Sequence, residues 1–133
     1  MTKKILILLA VAVFSAGCAT KLEKARTNIS RTWQISKVYE NGQDVTAVFL
    51  LGFGQYRIHF DNGGDFVENY YPFSGADQLT VTGTWVFSDG INKITLTDNN
   101  QTRVYQVDRL DEDHLNVTDL GSSDNTELHM IPD

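Results

Sequence analysis

One cysteine, Cys18, and two prolines stand among 133 residues. A single cysteine allows no intrachain disulfide, so the fold must be held by its core. There is no CxxC pair and no HExxH helix, and His59, His114 and His129 are not spaced as a zinc set, so no metal is expected. A Gly-rich phosphate loop, a nucleophile elbow and a convincing acid/base pair are also missing, which argues against an enzyme and implies no cofactor. Asp111-Glu112-Asp113 lacks the spacing of a calcium loop and reads as a charged hairpin tip. Basic residues are few, 11 against 17 acidic for a net charge of −6. Such a surface is repelled by phosphates and excludes nucleic acid as a partner. Long apolar runs are absent too. Ile5 to Phe14 is ten residues, about half of the ~20 that a membrane-spanning helix needs.

That short run has another explanation. It follows Lys3-Lys4 and precedes Ser15-Ala16-Gly17-Cys18, the order of a secretory signal: basic, apolar, then small residues at a cut site. Ser-Ala-Gly-Cys resembles the lipobox of bacterial lipoproteins, with Ser15 where leucine is usual. The resemblance implies that residues 1–17 are a signal peptide, that Cys18 is lipidated with a diacylglyceryl group and a further acyl chain such as palmitate, and that this lipid anchors the protein to a membrane. Lipidation would also consume the lone thiol. Ala19, in place of the aspartate of inner-membrane retention, favours the outer membrane of a Gram-negative cell. Residues 18–30 are then the lipidated cysteine and tether. Lys21, Lys24 and Arg26 against Glu23 leave it +2, suited to anionic headgroups at about 1 kcal/mol per cation. Leu22, Ala25 and Ile29 share a helical face over 21–29; whether that helix packs on the domain stays open at this level. Residues 31–133 hold six basic and sixteen acidic residues, net −10, and should stand off the membrane.

From Arg31 onward the chain alternates between short half-apolar segments and turn residues. The candidate strands are 31–40, 54–61, 65–71, 79–88, 92–98, 102–110, 114–120 and 125–131. Asn41-Gly42, Asp61-Asn62-Gly63-Gly64, Ser88-Asp89-Gly90 and Asp98-Asn99-Asn100 mark tight connections. Leu79, Val81, Gly83, Trp85 and Phe87 alternate with threonines, as Tyr56, Ile58 and Phe60 do with Arg57 and His59. One apolar face per strand means one interior. Asp44 to Leu51 is too uniformly apolar for a half-exposed strand and reads as a short helix or turn covering one end; residues 72–78 are a looser crossing. The sequence therefore predicts an all-β protein, an eight-stranded antiparallel up-and-down barrel with a short helical segment near 44–51. A pair of packed sheets is the alternative. Eight-residue strands at ~3.3 Å per residue and ~40° tilt give a barrel only about 20 Å tall, with little spare room.

Thr32-Trp33, Asn41-Gly42, Asp44-Val45-Thr46, Phe60 to Phe66 and Gly83-Thr84-Trp85-Val86-Phe87 carry a resemblance. Residues 31–131 resemble the lipocalin-like domains of small bacterial lipoproteins. Secreted lipocalins have Gly-x-Trp on the first strand; here Arg31 takes the glycine's place, and Gly83-Thr84-Trp85 satisfies the triplet on a later strand. The resemblance implies a carrier-like role and names no ligand.

The interior phase holds Trp33, Tyr56, Phe60, Phe66, Tyr70, Trp85, Phe87 and Tyr105, which serve either as plain core or as a pocket wall. Glu68 shares the phase of Phe66, Lys37 that of Trp33, and Arg103 and Arg109 that of Tyr105. A charge inside a barrel must be paired or sit at the mouth. The candidate ligand-binding set is Tyr56, Phe66, Glu68, Tyr70, Gly83, Trp85, Arg103 and Tyr105. The ligand would be small and largely apolar, with Glu68 or Arg103 meeting its polar end and Gly83 leaving room for the opposing wall or for a guest. The alternative is an envelope protein-interaction module whose interior is filled and whose partner is another protein.

Overall fold

The computed structural model describes residues 20–133; the expected signal peptide and Cys18 lie outside them. A helix, α1, covers residues 20–29. The strands are β1 Thr32–Glu40, β2 Gln43–Asp44, β3 Gly54–Phe60, β4 Asp65–Tyr71, β5 Leu79–Ser88, β6 Lys93–Thr97, β7 Thr102–Leu110, β8 Leu115–Asp119 and β9 Thr126–Pro132, with a second helix, α2, at Thr46–Gly52. β2 only extends the end of β1 by two pairs. The remaining eight strands pair antiparallel with their chain neighbours, and β1 pairs with both β3 and β9. The sheet thus closes into an up-and-down barrel and keeps no free edge.

Turn chemistry sets the connections. Asn41-Gly42 has positive φ at both residues (51° and 79°), the backbone a two-residue hairpin requires, and Asp89-Gly90 (52° and 69°) opens the longer link between Ser88 and Lys93 in the same conformation. Three strands are interrupted by register shifts, between Ile35 and Lys37, between Gly54 and Arg57, and between Val107 and Arg109. Each inserts a residue and flips the side chains beyond it. Two interior expectations are corrected for this reason. Lys37 is exposed and pairs with Asp44 at 3.2 Å, while Val38 takes the core position. Arg109 is exposed and pairs with Asp111 at 2.9 Å.

The two ends of the barrel differ. At the end formed by residues 61–64, 89–92 and 111–114, α1 crosses the opening and buries Ala25 and Ile29. Trp33 Nε1 donates to the Ile29 carbonyl at 2.9 Å, and Trp85 Nε1 to the Asp61 carbonyl at 2.8 Å. Arg26 donates to the Asn62 carbonyl at 2.7 Å and its guanidinium lies 5.0 Å from the Trp85 ring centre; Arg31 lies 5.6 Å from that of Trp33. Each buried indole is thus hydrogen-bonded at its rim and covered by a cation. Residues expected to serve as tether therefore seat on the barrel and close it.

At the other end, α2 lies along the rim. Asp44 Oδ1 accepts from the backbone N–H and the hydroxyl of Thr46 at 3.0 and 2.6 Å, and the Thr46 hydroxyl oxygen accepts the Val38 N–H at 2.9 Å. This turn launches the helix and ties it to β1. Val45 and Phe49 pack against the core, while Val48 and Leu51 face outward. α2 borders the mouth without sealing it.

Candidate functional site: a cup at the open end

The interior is filled in one half and open in the other. Below Tyr56 and Tyr105, close packing of residues such as Phe60, Trp85, Ile94, Leu96 and Leu115 leaves a void of ≈ 20 Å³, about enough for one water. Above the two tyrosines the barrel holds a cup of ≈ 420 Å³ that opens at the mouth. That size suits a small molecule. Phe49 from α2 and Phe53, the residue that ends it, form one wall, with their rings stacked at 4.6 Å. Phe53 continues onto Tyr70 at 4.9 Å, and Phe49 onto Tyr56 at 6.1 Å. Val81 and Leu128 add apolar surface, and Asp98, Gln101, Asp119 and Thr126 a polar rim.

The charged groups of the cup form one network. Glu68 projects inward from β4 and is buried. Arg103, from β7, holds it in a two-pronged pair, Nη1 to Oε2 at 3.1 Å and Nη2 to Oε1 at 3.2 Å. Such a fork fixes geometry as well as charge. Tyr56 Oη donates to Glu68 Oε2 at 2.5 Å. Nη2 of Arg103 also reaches Asp98 Oδ2, at 3.8 Å. Burial and then the Glu68 charge push the Tyr56 hydroxyl's pKa well up, so it stays protonated and donating. Burial likewise raises Tyr105, against the opposing field of Arg103. For Arg103 itself burial opposes the charge, but the Glu68 hydrogen bonds and the surrounding oxygens outweigh it and raise its pKa.

Of the residues expected to bind, Tyr56, Glu68, Tyr70, Arg103 and Tyr105 come together in this cup. Phe66, Gly83 and Trp85 do not. Phe66 is buried beneath the Arg103 guanidinium, 5.8 Å from its ring centre. Trp85 belongs to the closed end. A Cβ on Gly83 would fall on the Thr97 carbonyl oxygen and lie 2.8 Å from Phe66 Cε1. The room left by Gly83 goes to the neighbouring strand, and a guest has none of it. Nor are Glu68 and Arg103 free to meet a ligand's polar end separately, because each is spent largely on the other. Sequence reasoning missed Phe49, Phe53 and Asp98. The four-residue spacing of Val45, Phe49 and Phe53 is a helical stripe that would have pointed to the first two. Asp98 stood as a turn residue, and so it is: its Oδ1 accepts the N–H groups of Asn100 and Gln101 at 2.8 and 3.1 Å.

A closed antiparallel up-and-down barrel, plugged at one end and cupped at the other, defines the structural class. A family model described as "Lipocalin-like domain" matches residues 29–117, and the chain belongs to that family. Among solved structures it is similar to a lipocalin-like protein from Bacteroides uniformis, with a TM-score of 0.61 at 11% identity over 80% of this chain and 99% of the other. A DUF4847 family protein from Bacteroides vulgatus is also similar, at a TM-score of 0.51 and 14% identity over 78% of this chain and 93% of that one. At these identities the likeness is one of fold. No curated protein matches.

Proposed function

We propose that the protein is an outer-membrane lipoprotein that holds a small, largely apolar molecule in the open half of its barrel, and that it works by binding and not by catalysis. The cup of ≈ 420 Å³ carries this reading. A domain whose only task was to dock a partner through its outer surface would have no need of an interior emptied on one side. The closed end contributes by contrast: α1 and the two indoles stopper the barrel, so a guest enters and leaves at the α2 rim. The lipid anchor rests on Ser15-Ala16-Gly17-Cys18 and the short apolar run before it. Among the described residues no helix is long and apolar enough to cross a membrane; in this proposal the attachment is the lipid on Cys18.

One experiment addresses both halves of the proposal: mass spectrometry of the protein purified gently from its native envelope. Under denaturing conditions the expected mass is that of residues 18–133 plus a diacylglyceryl group and an acyl chain. Under native conditions a further, dissociable small molecule is expected. An unmodified cysteine would remove the anchor, and a bare chain in every preparation would count against the carrier.

A further inference from the structure

We infer that the cup selects a positively charged organic molecule, an amine attached to an apolar or aromatic body. This deepens the binding proposal and rests on it.

Charge balance comes first. Three carboxylates line the cup, Glu68, Asp98 and Asp119, and Arg103 is the one cation, so the lining carries a net charge of −2. The side chains of Glu68 and Asp98 are only 6% and 5% exposed. A carboxylate so far out of water needs a partner, and Arg103 does not serve both equally. Its two terminal nitrogens bond Glu68 at 3.1 and 3.2 Å. Toward Asp98 Oδ2 it comes no nearer than 3.8 Å, beyond hydrogen-bond reach. That oxygen therefore keeps an attraction to a cation and lacks a donor. Asp119 has one oxygen occupied by the Gly121 N–H at 2.8 Å and the other without a hydrogen-bond partner. The Oδ1 of Asp98 is occupied by the Asn100 and Gln101 N–H groups, and an ammonium group supplies both what its Oδ2 lacks, a donor, and what the cup lacks, positive charge.

The opposite ligand fits poorly. An anion entering the cup would meet the two surplus carboxylates, while Arg103 is already committed to Glu68. The Arg103 Nε–H has no acceptor, but the atom is buried and offers a ligand no surface. A bare metal ion fits no better. Among the described residues, no group of three or more His, Cys, Asp or Glu side chains is placed to hold one, and hard cations require several oxygens converging at short range. The walls favour an organic cation instead. Phe49, Phe53, Tyr56 and Tyr70 form a run of rings joined at 4.6 to 6.1 Å. Ring faces attract ammonium groups, most strongly where water is excluded. They also bury the apolar body of the same molecule.

The test uses three probes of nearly equal shape, 1-naphthylmethylamine, 1-naphthylmethanol and 1-naphthoate, titrated calorimetrically into the full chain in non-ionic detergent at pH 7. The amine should bind about tenfold more tightly than the alcohol, and the carboxylate more weakly than either. Added salt should erode the amine's advantage. Asp98→Asn keeps an oxygen for the Asn100 and Gln101 N–H groups, so the turn is preserved, and it should remove most of the tenfold preference. An alcohol that binds as tightly as the amine, or a carboxylate that binds best, overturns the inference and leaves the carrier reading standing. So does a preference that survives Asp98→Asn unchanged. If none of the three binds, the carrier reading falls, and the inference with it.

Discussion

At the closed end of the barrel, Trp33 and Trp85 are buried, hydrogen-bonded through their ring nitrogens and covered by Arg31 and Arg26. At the open end, Glu68, Arg103 and Asp98 are drawn together beneath a mouth bordered by a helix with no buried residue. The same eight strands build both. The difference lies in what fills the interior: side chains of complementary shape below, and polar groups with space between them above. Apolar packing consolidates the first half, whereas the second is held open by charges that must stay paired. On the proposed carrier reading the two halves divide the work, a rigid stoppered base allowing the rim to remain permissive.

The largest expected effect lies in the wall between the halves. Gly83 faces the Thr97 carbonyl of the adjoining strand so closely that any Cβ would collide with it. Backbone cannot swing aside as a side-chain tip can, so Gly83→Ala must separate β5 from β6 or unfold the barrel. Urea denaturation should show a loss of about 3 kcal/mol or more. A loss below about 1 kcal/mol would mean that the two strands are less tightly joined than the contact requires.

Gly83 also shows what could be read from the residues alone. Alternation placed it on the inward face, and turn residues placed strand ends within two residues of where they lie. Alternation cannot give height along the barrel axis, because height depends on the stagger between strands. Trp85 and Tyr56 are both inward, yet one belongs to the stopper and the other to the floor of the cup. Nor can it see an inserted residue. A period of two carried through the shifts after Ile35 and Val107 puts Lys37 and Arg109 inward, and the inserted residues turn them out. The Glu68–Arg103 pair was half legible. Two opposite charges in the inward phase suggested partnership, while their bidentate geometry depends on strands 35 residues apart in the chain.

A smaller effect is expected in the cup itself. Arg103→Met keeps the length and apolar bulk of the side chain and removes its charge. Glu68 and Asp98 are then left as neighbouring carboxylates with no cation between them. Taking one partner from a buried pair strands the other's charge, and the open mouth admits water that softens the penalty. The variant should lose about 2 kcal/mol at pH 7 and still fold. If stability were unchanged or increased, the network would be dispensable, and the open half would rest on packing as the closed half does.

The smallest effect concerns the rim. Asp44 lies at the surface, yet the Thr46 hydroxyl, the Thr46 N–H and Lys37 hold its pKa at about 2, below the usual 3.8. A carboxyl whose pKa is lower in the folded state stabilises that state while it is charged. The contribution is complete above the unfolded value and disappears as pH falls from about 4 through about 2. Asp44→Asn keeps an acceptor oxygen for Thr46 but cannot titrate. It should lower the thermal midpoint by less than either variant above, by the same amount at pH 7 and pH 5. Between pH 4 and pH 2 the wild-type curve should fall toward that of the variant, because protonation removes from the wild type what the substitution has already removed. Midpoints recorded at pH 7, 5, 4 and 3 test this directly. A gap that is as wide at pH 3 as at pH 7 would mean that the charge on Asp44 has no part in tying α2 to the mouth.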